Sequence, residues 1–124
     1  MNWSAIGAFV LALAVMVGAF GAHALRDRLD DYAKGVFQTA VAYHFYHALG
    51  LLIVSFFPRI GALSESRAGW VCLLLLAGIL LFSGSLYALA VSGVRALGAV
   101  TPIGGVCFIA GWLLLAYWLT QKSA

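Results

Sequence analysis

Charge is scarce in this sequence. Only 9% of its 124 residues are Asp, Glu, Lys or Arg, whereas 65% are hydrophobic. A soluble domain carries about a quarter charged residues, so this composition excludes one. Two cysteines provide no disulfide framework. Cys72 and Cys107 fall near opposite faces of an antiparallel arrangement, on the order of 20 Å apart at 1.5 Å per helical residue. A disulfide needs Cα atoms within about 7 Å, so free thiols are expected. Neither Cys-x-x-Cys nor His-Glu-x-x-His occurs, and no phosphate-binding glycine loop does. Gly84-Ser85 lacks the flanking pattern of a nucleophile elbow. The net charge of +3 comes from basic residues scattered singly, which excludes a nucleic-acid surface.

What remains is organised by where charge is absent. Residues 1–25, 35–58, 68–94 and 96–121 contain no charged side chain, and every Lys, Arg, Asp and Glu falls in the gaps or at the chain end. A hydrocarbon core about 30 Å thick needs roughly 20 apolar helical residues, and each run is long enough. The runs are continuous, without the alternation of a β-barrel strand. The expected fold is therefore all-α: one transmembrane domain over residues 1–124, an antiparallel up-down-up-down four-helix bundle. Its spans are placed at about 3–24, 36–57, 70–91 and 102–120. Ala22-His23-Ala24 has the form of a signal-cleavage site, but Met1–Ser4 carries no Lys or Arg, so the first segment is expected to be retained as a span.

Small residues mark the contact faces. Gly7, Ala14, Gly18, Gly21 and Ala22 form one seam; Gly78, Ser85 and Ser92, with Ala88 alongside, form another; Gly104, Cys107 and Gly111 form a third. Such residues let helix backbones approach closely where lipid gives no hydrophobic drive. Thr101-Pro102 reads as an N-cap followed by the first helical residue. Between the first two spans, Leu25, Leu29 and Tyr32 share one helical face among charges. That predicts a short amphipathic segment at the interface, or a wet extension of the second helix. Asp30 and Lys34 have the i,i+4 spacing of an ion pair. Trp3, Trp70 and Trp118 are expected in an interfacial belt at the face holding both termini. Basic residues nearly balance between the two faces, and both termini are expected in the cytoplasm.

The second span is the most polar, and His44 and His47 are its sharpest feature. Ionisable residues within a membrane usually face the bundle interior. This pair can bind a metal through neutral imidazole nitrogens, hold a proton or hydrogen-bond a quinone-like head, or join neighbouring helices as polar glue. His23 lies about 9 Å away along the membrane normal, too far for one shared ion, and no acidic ligand lies inside the membrane. No metal or other cofactor is therefore expected. A haem held between two histidines would need a homodimer to supply the second. Gln38, Thr39, Tyr43, His44, His47, Ser83, Ser85 and Tyr87 are the candidate ligand-binding set, an interior polar patch. The two serines can instead bond back to their own helix.

Several stretches resemble a known family: Gly18-Ala19-Phe20-Gly21-Ala22-His23-Ala24-Leu25, Phe37-Gln38-Thr39-Ala40-Val41, Tyr43-His44 with His47-Ala48-Leu49, Phe82-Ser83-Gly84-Ser85-Leu86-Tyr87 and Thr101-Pro102-Ile103-Gly104-Gly105. Together they are similar to small bacterial inner-membrane proteins of the YgdD-like family, a domain-of-unknown-function family (DUF423). The resemblance implies a four-span inner-membrane protein without an established activity, and it carries no catalytic residues over. The expected role is non-enzymatic binding or assembly, with the lipid bilayer, a second copy, a small amphiphile or another membrane protein as partners. A small-solute or proton transporter and a metal, haem or quinone redox protein are the alternatives.

Overall fold

The computed structural model describes residues 1–121. Its elements are α1 (Trp3–His23), α2 (Asp31–Ser55), a 3₁₀ turn (Phe57–Ile60), α3 (Glu65–Gly78), a π-helical turn (Ile79–Ser83), α4 (Gly84–Ser92), a second 3₁₀ turn (Arg95–Ala99) and α5 (Thr101–Leu119). Helices α3 and α4 continue through the π turn as one rod, Glu65–Ser92. Four rods thus cross the membrane, each long and apolar enough to do so. The chain is an all-α membrane bundle.

The rods are not equivalent. Helix α1 packs on α2, α2 on the α3–α4 rod, and that rod on α5; no comparable contact closes the ring between α1 and α5. The two inner rods therefore hold most of the buried surface. Their core is Ala48, Leu51, Val54, Val71, Cys72 and Leu75, joined by Val10 of α1 and by Phe108 and Leu115 of α5. Cys72 and Cys107 are both free thiols.

Glycine sets the two outer seams. A methyl group added at Gly7 would meet Leu51 and Leu52 at 3.1 Å, and one at Gly21 would overlap the Phe37 ring. At Gly104 it would lie 2.3 Å from the backbone nitrogen of Phe82, so α5 rests directly on the backbone of the π turn. That turn was not expected, since nothing in Ile79-Leu80-Leu81-Phe82-Ser83 breaks a helix. One extra residue per turn rephases the rod. Gly78 and Ser85 face α5, whereas Ser92 leaves the seam and bonds back to the Ala88 carbonyl at 2.6 Å.

Three local expectations are corrected. The Leu25–Lys34 segment is not one amphipathic helix: residues 24–29 form turns, and Asp30 caps α2 by accepting from Ala33 N–H at 2.8 Å, so only residues 31–34 are the wet helical extension. That Asp30 carboxylate serves the helix end, and no ion pair joins it to Lys34 among the described residues. Thr101 is not an N-cap but already helical, and its hydroxyl shares a hydrogen bond with Ser85 at 2.6 Å.

Candidate functional site

The eight candidate residues do not form one patch. They divide among three environments around α2, according to which neighbour each faces.

The interior holds His44, Ser83, Ser85 and Tyr87. The Nε2 of His44 lies 3.0 Å from the Val10 carbonyl, which can only accept, so Nε2 carries the proton. Its Nδ1 then presents a lone pair to the Tyr87 hydroxyl at 2.8 Å. Through this one ring α2 is tied to both α1 and α4. Ser83 donates to the Ala40 carbonyl at 2.7 Å, pinning the end of the π turn to α2. Ser85 bonds Thr101 and its own helix at Phe82 O. Polar groups inside a membrane bundle demand such partners, because the hydrocarbon supplies none.

The seam between α2 and α5 holds His47. Its Nδ1–H donates to the Tyr43 carbonyl one turn back, at 2.9 Å. The ring lies flat on Phe108, centroids 3.5 Å apart at 13°, with Trp112 at 5.9 Å. The lone pair on Nε2 has no partner among the described residues, and His47 is only 7% exposed. A strip of aromatic rings continues outward: Tyr43 stacks near His47 at 5.8 Å and meets Tyr46 at 5.9 Å. Tyr43 and Tyr46 are 38% and 62% exposed, and neither phenol has a hydrogen-bond partner among the described residues. Tyr46 lies about 18 Å of helix from Lys34 and about 20 Å from Arg59, so it sits near the middle of the span.

Gln38 and Thr39 lie on the outer surface rather than in the interior. Thr39 bonds back to Gly35 O at 3.1 Å. Gln38 lines a groove between α1 and α2. Tyr46, Phe108 and Trp112 stood outside the candidate set, although the aromatic spacing of Tyr43 and Tyr46 along α2 was visible. No group of three or more His, Cys, Asp or Glu gathers into a metal site among the described residues. His23 ends α1 at the membrane face, apart from the other two histidines.

Fold and site together define a class: a small four-span membrane protein braced by a buried hydrogen-bonded histidine, with an aromatic strip on one outer face. The chain belongs to the family described as "Protein of unknown function (DUF423)", which matches residues 17–105. It is 49% identical over 96 residues to the UPF0382 membrane protein YwdK of Bacillus subtilis, covering 76% of each chain. A UPF0382 membrane protein of Staphylococcus epidermidis is 49% identical over 94 residues, covering 76% of this chain and 75% of the relative. No solved structure matches.

Proposed function

We propose that this chain is a non-enzymatic assembly protein of the bacterial cell membrane that pairs with a second copy of itself through the α2–α5 aromatic strip, with both termini in the cytoplasm. One observation carries the reading: Tyr43 and Tyr46 bring unpartnered phenols to an outer face at mid-membrane depth, beside the unpartnered Nε2 of His47 in the α2–α5 seam. In hydrocarbon each such group is costly until it finds a partner, and an interhelical bond recovers about 0.6 kcal/mol on average. The strip offers donors in its phenols and an acceptor in His47 Nε2. A face holding both kinds is self-complementary, since a two-fold axis sets each donor against the other copy's acceptor. A second copy therefore satisfies the face without a dedicated ligand.

Counting subunits by single-molecule photobleaching at low density in lipid bilayers tests this. Two copies per spot are expected. A single copy per spot overturns the reading. So does a monomer that keeps a ring-bearing amphiphile through purification, since that molecule would then occupy the strip instead.

A further inference from the structure

The groove between α1 and α2 lies on a different part of α2 from the aromatic strip, and its chemistry is different. It encloses about 410 Å³, within the range of small-molecule sites. Its inner wall is built from Gly18, Gly21 and Ala22 of α1 and from Phe37 and Val41 of α2. Gly21 leaves room for the Phe37 ring, which closes the floor. Gln38 stands partway along, and Arg26 and Lys34 stand at the end nearest the α1–α2 connection.

We propose that this groove holds one anionic phospholipid of the surrounding membrane, an acyl chain along the glycine wall and the phosphate at Arg26 and Lys34. Charge selection is the first argument. The connecting segment 26–34 contains three basic and three acidic residues and is neutral overall. Yet both charged residues lining the groove are basic, while none of the three acidic residues lines it and Asp30 caps a helix. Neither cation has an ion-pair partner among the described residues. Depth is the second argument. Arg26 follows the end of α1 and Lys34 lies in the first turns of α2, so both stand where the charge-free runs begin. That is the level of lipid phosphates, and each basic residue there attracts an anionic headgroup. The third is the polar step. Gln38 lies one helical turn deeper than Lys34, within the membrane, and its side-chain amide has no partner among the described residues. An ester carbonyl just below a phosphate accepts such a hydrogen bond. A lipid reaches the open side of the groove directly from the bilayer, whereas a soluble anion would satisfy only its mouth.

The test is native mass spectrometry of delipidated protein titrated in neutral detergent with phosphatidylglycerol or phosphatidylcholine. Wild type should prefer the anionic lipid by up to roughly thirtyfold, as two interfacial cations at about 1 kcal/mol each supply. The Arg26→Gln/Lys34→Gln variant should lose that preference, while Arg28→Gln should keep it, since Arg28 lines a separate cleft with Arg95. Ala42→Leu, which fills the groove from the α2 side, should weaken lipid retention with both cations intact. Equal binding of the two lipids overturns the proposal. An equal loss in Arg28→Gln also overturns it, because the attraction would then be diffuse surface charge. Full displacement by an equal concentration of inorganic phosphate overturns it as well, because the chain would then contribute nothing. Subunit number is read in the same spectra, so failure of this site is distinguishable from failure of pairing through the aromatic strip.

Discussion

His44 and His47 are one turn apart on the same helix and nearly equally buried, yet they are held in opposite ways. Both nitrogens of His44 are used, and both partners belong to other helices, Val10 of α1 and Tyr87 of α4. His47 spends its one proton on the carbonyl of its own helix and leaves the lone pair on Nε2 without a partner among the described residues. The first arrangement is a brace, and the second leaves bonding capacity unused. A buried side chain of the same type can thus be structural or available, and its partners decide which.

The contrast is sharpest in His44→Leu. That change removes two cross-helix bonds and strands the Tyr87 hydroxyl inside the bundle. Interhelical bonds in membranes average about 0.6 kcal/mol, and an orphaned polar group adds about 1 kcal/mol or more. A loss of about 2 kcal/mol in detergent unfolding is expected, with the subunit count of the folded fraction unchanged. Next in size is Tyr87→Phe, which removes one of the two bonds and should cost about 1 kcal/mol. In a double-mutant cycle the two changes should be less than additive, since they remove the same contact. Full additivity would show that the 2.8 Å hydrogen bond contributes nothing.

His47→Leu reverses the pattern. The Tyr43 carbonyl keeps its helical partner, and Leu retains an apolar contact with Phe108, so the loss of folding stability should stay near 0.5 kcal/mol. Self-association should weaken instead, by roughly tenfold, because the two-fold axis doubles the loss to two interhelical bonds of about 0.6 kcal/mol each. If His47→Leu destabilises as much as His44→Leu, both histidines are braces and the distinction between them fails.

How much of this was legible beforehand depends on which property the membrane imposes on sequence. Charge is forbidden in hydrocarbon, so the four spans stand out within a few residues of α1, α2, the α3–α4 rod and α5. Facing is hardly imposed at all. Lipid and protein interior are equally apolar, so nothing in the periodicity of α2 distinguishes Tyr46 outside from Leu51 inside. Gln38 and Thr39 were accordingly placed in the interior and are found outside. The partners of His44 were hidden for a different reason. One is a backbone carbonyl, which every residue has, and the other arrives only once the π turn has rephased α4. That turn leaves no mark in its own residues; its trace lies in Gly104, on another helix, whose missing side chain admits the backbone of Phe82.

The smallest change tests the outer side of the comparison most cleanly. Tyr46→Phe removes one oxygen from a ring that is 62% exposed and has no hydrogen-bond partner among the described residues. Within a monomer this should alter folding stability by less than about 0.5 kcal/mol, and in the favourable direction, because a phenol in hydrocarbon is costlier than a phenyl ring. Pairing gives the opposite sign: the hydroxyl would have a partner across the two-fold axis, and its removal from both copies should raise the dissociation constant by up to about tenfold, from two interhelical bonds of about 0.6 kcal/mol each. Subunit exchange between differently labelled bilayer samples resolves a change of that size. A variant that folds more firmly yet separates more readily would place the value of the Tyr46 hydroxyl at the interface rather than in the fold. Unchanged exchange would mean the hydroxyl faces lipid in the assembled state, and the pairing face would then have to lie elsewhere.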